Sequence, residues 1–92
     1  MMFPTVHLNG TSGEQLREKN LDACHAISKA LVALAEASPN ARDFYVQGND
    51  AFNKAAKEHQ NRWARLQSVY DELSQVAENI QNQVDAREAQ RR

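Results

Sequence analysis

The longest regular pattern in this chain runs from Phe52 to Val84, and it leaves few folds open. Phe52, Ala56, His59, Trp63, Leu66, Tyr70, Leu73, Ala77, Ile80 and Val84 succeed one another at spacings that alternate four and three without a break. A period near 3.5 residues marks a helix that carries an apolar seam toward a partner helix. A strand cannot hold such a pattern, because its faces alternate every second residue. Val69 and Val76 widen the seam on one side. The helix is expected over residues 50–86, capped by Asn49 or Asp50, with the stripeless end 87–92 fraying.

A second amphipathic segment precedes it. Thr11-x-x-Glu14 and Ser12-x-x-Gln15 are overlapping capping boxes, in which a hydroxyl and a side chain three residues on satisfy free backbone groups at a helix start. The spacing predicts a helix over 12–37, stopped at Ser38-Pro39 because the residue before a proline avoids α geometry. Leu16, Asn20, Ala23, Ile27, Leu31 (or Ala30) and Leu34 make one stripe. Leu21, Cys24, Ser28, Val32 and Ala35 lie beside it, so the arc is wider than a single partner helix requires. Residues 39–48 read as a connecting loop. Residues 1–10 read as an extended lead with strand-like alternation, closed by an Asn9-Gly10 turn signal.

These segments add up to an all-α single domain, a long antiparallel helical hairpin. Helices of about 26 and 36 residues would span about 39 and 54 Å. About 15 Å of seam, around Ile80 and Val84, would then overhang. That overhang and the wide first helix predict assembly into an oligomeric helical bundle, a symmetric dimer being the simplest form.

Composition excludes several function classes. At 92 residues, with 41% hydrophobic residues and a formal net charge of -1, the chain is neither multidomain nor disordered. Three Gly and two Pro leave little turn chemistry for an all-β fold. The near-zero net charge lacks the basic footprint that nucleic-acid binding needs. Charge is unevenly spread, however. Lys54, Lys57, Arg62 and Arg65 outnumber Asp50 and Glu58, whereas Asp71, Glu72, Glu78, Asp85 and Glu88 outnumber Arg87. The lone Cys24 can form no intramolecular disulfide and reads as a small buried hydrophobe. With no secretory pattern at the start and no apolar run long enough for a membrane, a cytoplasmic protein is expected.

No enzyme motif is present: neither a P-loop, GxGxxG, HExxH nor GxSxG. His7, His25 and His59 sit on different segments, and only Asp22-x-x-His25 has metal-ligand spacing. The expectation is a non-enzyme with no cofactor and no metal.

Three places hold candidate binding residues. His59 interrupts the seam, and a polar group there must find partners. It either fixes register by hydrogen bonding across the contact or lines a pocket with Arg62. The 39–48 connection is long for two packed helices. In it, Arg42 offers a fork for phosphate or carboxylate, Tyr45 a stacking face and Asp43 an acceptor for a ring edge. The alternative is that Phe44 plugs the bundle end while Arg42 and Asp43 pair locally or cap. Finally, His7, Asn9, Thr11 and Ser12 stand where a helix N-terminus exposes free N–H groups, a ready anion site; capping alone also explains Thr11 and Ser12. In one hairpin the lead and the loop lie at opposite ends. In an antiparallel oligomer, the lead of one subunit would meet the loop of another and build pockets between subunits.

Val6-His7-Leu8-Asn9-Gly10-Thr11-Ser12, then Pro39-Asn40-Ala41-Arg42-Asp43-Phe44-Tyr45-Val46-Gln47-Gly48, then Glu58-His59 in a heptad helix, together resemble a group of small, uncharacterised tailed-phage and prophage proteins. In that group the lead reads HLNGTS and the loop P-(N/H)-G-R-D-Y-Y. The likeness covers nearly the whole chain. It departs at Ala41, where the pattern has Gly, and at Phe44, where it has Tyr; the first puts a left-handed turn in doubt and the second removes a hydroxyl. The resemblance implies a phage origin. By analogy with small oligomeric phage proteins that sequester the nucleotide signals of bacterial immunity, it suggests binding of a small anionic ligand between subunits. The rival expectation is a protein–protein module that inhibits a host enzyme or serves virion assembly.

Overall fold

The computed structural model describes residues 1–91 and shows two helices, α1 (Gly13–Glu36) and α2 (Ala51–Arg91), packed as an antiparallel hairpin. No strand occurs among the described residues. Ser12 rather than Thr11 caps α1: its Oγ accepts from the Gln15 N–H at 3.2 Å. At the other end Ser38 Oγ donates to Ala35 O at 2.7 Å, and Pro39 turns the chain away from the helix. The connection is ordered by two single turns of 3₁₀ helix, Ala41–Asp43 and Tyr45–Gln47. Ala41 sits in the first of these, so its position needs no left-handed residue. Among the described residues the left-handed side of the backbone map is used only by Gly48, at φ +117°, where a Cβ would be strained. Lys54 N–H then closes on Asp50 O at 3.0 Å, and α2 begins.

The seam of α2 faces α1 except at Trp63, which is 40% exposed. Ile80 is fully buried and Ala77 nearly so, and Cys24 and Leu31 are the buried apolar side chains of α1. The register is read from three cross-links. His59 Nε2 lies 2.6 Å from Leu34 O, Cys24 Sγ lies 3.8 Å from Tyr70 O and 3.7 Å from Ser74 Oγ, and Arg17 hydrogen-bonds Gln81. Rising residue numbers in α1 meet falling ones in α2, as an antiparallel pair requires.

Three expectations are corrected. The lead forms no strand: Gly10 N–H closes a turn on His7 O at 3.2 Å, and Gln83 holds the segment before it. Gln83 Oε1 accepts from Val6 N–H, while its Nε2 donates to Pro4 O, each at 2.8 Å. Next, the expected overhang at Ile80 and Val84 is absent, because α1 starts beside Val84 and covers Ile80. A Cβ built on the buried Gly13 would lie 2.5 Å from Val84 Cγ2. Finally, the segment expected to fray is helical through Arg91; Arg92, the end of that expected tail, lies outside the described residues. Ala, Arg, Glu and Gln are strong helix formers, and Gln81 Nε2 donates to Asp85 Oδ1 at 2.8 Å to staple the turn.

The resulting rod measures 67 × 20 × 20 Å, with a radius of gyration of 19.8 Å. A compact domain of this length has about 12 Å. No helix is long and apolar enough to cross a membrane.

Candidate functional site

The two ends of the rod carry different clusters. At the first, the lead folds over the start of α1 and the end of α2. The capping hydroxyl of Ser12 and the ring of His7 face Val84, Arg87 and Arg91 across a cleft of about 380 Å³. Asn9 and Thr11 are exposed nearby. Arg87 and Arg91 would suit an anion at the helix N-terminus, but Glu14 and Glu88 line the same cleft, so its formal charges balance. Ser12 Oγ is already engaged in capping.

At the second end, Pro39, Asn40, Asp43 and Phe44 close over His59 and Arg62 around a cleft of about 480 Å³. Phe44 is half-buried, which suits the plug expected of it. Asn40 Oδ1 accepts from the Arg42 N–H at 3.0 Å, so the turn is held by Asn40. Arg42 and Tyr45 stand outside the cleft, and Tyr45 is 74% exposed. Arg62 pairs with Glu58 at 3.8 Å, an exposed i, i+4 contact of small energetic weight. His59 both hydrogen-bonds Leu34 O and lines the cleft with Arg62.

The nine expected ligand residues therefore divide in two. His7, Asn9, Thr11 and Ser12 stand at one end; Arg42, Asp43, Tyr45, His59 and Arg62 stand at the other. The 24 residues of α1 lie between them, about 36 Å of helix. No single chain brings the sets together. Asp22 and His25 are both exposed on α1, and no group of three His, Cys, Asp or Glu side chains among the described residues could hold a metal ion.

Sequence reasoning missed Arg87, Arg91, Gln83 and Gly13. The first two fell in the tail expected to fray. Gln83 gave no signal, since an amide on a helix is ordinarily solvated; Gly13 was hidden directly behind the cap. Comparison with known proteins finds no family model, no curated protein and no solved structure that matches the chain.

Along the flank of the hairpin runs a third feature. The second stripe of α1 lies at the α1–α2 groove, where Leu21, Cys24, His25 and Ser28 border Tyr70 and Ser74. Val32, one turn beyond Ser28, and Trp63, two turns before Tyr70, extend the same stripes. Leu21, Val32 and Trp63 are 39%, 61% and 40% exposed. Nearer the lead, Leu21 and Ala77 line a hollow of about 390 Å³ together with Arg17, Ser74, Glu78 and Gln81.

Proposed function

We propose that this protein is a self-associating helical hairpin, a protein–protein interaction module whose working form is a homo-oligomer. The observation that carries this reading is surface area. The chain exposes 7111 Å², whereas a folded monomer of this mass exposes about 5,400 Å². The excess, about 1,700 Å² per chain, is of the order that obligate homodimers bury between subunits.

A second reading is compatible with the first and is favoured by the split of polar residues between the two ends. In an antiparallel pair, the lead of one subunit stands beside the loop of its partner. His7, Asn9, Thr11 and Ser12 then meet Arg42, Asp43 and Tyr45, and the bundle ends become intersubunit sites for a small anionic ligand such as a signalling nucleotide. The motif likeness to phage proteins supports sequestration in a host cytoplasm as the biological setting.

One experiment tests both readings: native mass spectrometry across the micromolar range, with and without linear and cyclic nucleotides. Masses at multiples of 10.4 kDa are expected. A single chain at every concentration overturns self-association. Uptake of a fixed number of one nucleotide per subunit is what the ligand reading requires, and an oligomer empty across the panel overturns it.

A further inference from the structure

We infer that a second copy of this chain docks antiparallel on the face made by Leu21, Ser28 and Val32 of α1 with Trp63, Tyr70 and Ser74 of α2, seating its Trp63 in the hollow beside Ala77. This rests on the self-association reading and specifies its surface and direction.

The face is continuous and uncharged along its middle. Leu21, Cys24, Ser28, Val32 and Ala35 on α1, and Trp63, Gln67, Tyr70, Ser74 and Ala77 on α2, carry no formal charge. Helix periodicity puts each set on one stripe, and the groove contacts join the two stripes side by side. The opposite flank differs: Val69 is its one large exposed apolar side chain on α2, between Arg62 and Arg65 on one side and Glu72 on the other.

Knob and hollow are placed for self-complementarity. Trp63 protrudes on one side of the rod's midpoint, and the hollow walled by Leu21, Ser74 and Ala77 opens on the other. Midway between them lie Tyr70 and, level with it on α1, Ser28. A two-fold axis there, perpendicular to the rod, carries each Trp63 onto the partner's hollow. The same operation brings Leu21 of one copy to within about 5 Å along the rod of Val32 of the other, so the two exposed aliphatic side chains of α1 lie on neighbouring turns. A Trp seated in a recess is a common interface anchor; this one meets Leu21 and Ala77 together with the polar Arg17, Glu78 and Gln81, and an isologous contact needs knob and recess on the same surface.

Charge selects the direction. Counted over the whole helix, flanks included, the first part of α2 carries Lys54, Lys57, Arg62 and Arg65 against Glu58; its later part, Asp71 to Glu88, carries five acids against Arg87. Antiparallel docking sets the basic half of one α2 along the acidic part of the other. Parallel docking stacks like on like, which costs free energy across an interface.

The test uses the full chain. Val32→Glu and Leu21→Glu replace exposed side chains, so they put charge at the proposed contact with little effect on the hairpin core; Val69→Glu is the control on the opposite flank. By sedimentation, wild type and the Val69 variant are expected at two chains, and the Val32 and Leu21 variants at one with helical circular dichroism retained. A dimer that survives both face variants overturns this surface while leaving self-association standing. Wild type at one chain throughout overturns self-association itself. Should the face variants lose helix together with mass, spin labels decide. In a Cys24→Ala background, a label at Ser28→Cys is expected to give a short intersubunit distance and one at Lys57→Cys a long one. Two short distances mean parallel chains, and a long distance at Ser28 moves the axis; either result overturns the proposal.

Discussion

At the scale of single residues, Gly13 decides how closely the helices approach. A Cβ at this position would lie 2.5 Å from Val84 Cγ2 and 3.3 Å from Val6 Cγ1, closer than packed carbon atoms tolerate. Alanine normally gains up to about 1 kcal/mol over glycine within a helix, but overpacking a tight contact costs about 1–3 kcal/mol. The steric term wins, and Gly13→Ala is expected to destabilise the fold by about 1–2 kcal/mol in urea titrations. Gly10 makes the contrast: a Cβ there meets only the ring of the exposed His7, which can swing aside, so Gly10→Ala is expected to leave the midpoint nearly unchanged. His59 shows how a polar seam residue is accommodated. Its spacing announced a group that needed a partner; the structure supplies Leu34 O, an acceptor at the end of α1.

At the scale of elements, α2 is much longer than α1, 41 residues against 24, and what covers the difference is irregular chain. The 3₁₀ turns and Phe44 pack over its start; the lead packs over its end. The lead stays in place largely through Gln83, which accepts from the Val6 N–H, donates to Pro4 O, and also donates to Asn79 Oδ1 at 2.7 Å. Removing such an amide leaves partly buried backbone groups without partners, a loss of about 1–3 kcal/mol. Gln83→Ala is therefore expected to release the lead while α1 and α2 stay helical. The readout is hydrogen exchange: protection at the Val6 amide should fall to that of free chain. Unchanged protection would mean that the turn at Gly10 and the contact with Gly13 suffice.

At the scale of the whole molecule, the rod is the outcome of two long helices and few turns. Its fully buried set is small: Cys24, Leu31, Ala77 and Ile80 are its only deeply buried apolar side chains among the described residues. A small core stabilises a small domain only weakly, and association is one of the ordinary remedies. If the charge halves of α2 meet between copies, salt should loosen the assembly. Between about 0.1 and 1 M ionic strength the screening length falls from about 10 to 3 Å. The dissociation constant is expected to rise severalfold over that range, measured by sedimentation equilibrium; tightening with salt would mean that apolar burial dominates the contact.

By itself the sequence determined the elements and their pairing. The unbroken four-three spacing from Phe52 to Val84 demands a helix with one apolar seam, the Ser12-x-x-Gln15 box starts the first helix, and Pro39 ends it; these are local effects, carried by neighbours a few residues apart. The opposite placement of lead and loop also followed, because it depends only on having two antiparallel helices. What the tertiary structure alone decided was register and cover. Whether Ile80 overhangs or is buried depends on where Gly13 meets Val84, a contact between residues 71 positions apart to which no local spacing refers. The helical tail follows the same logic. Its own residues carry no stripe, and the partly buried Arg87 shares a cleft with the lead, which Gln83 ties down.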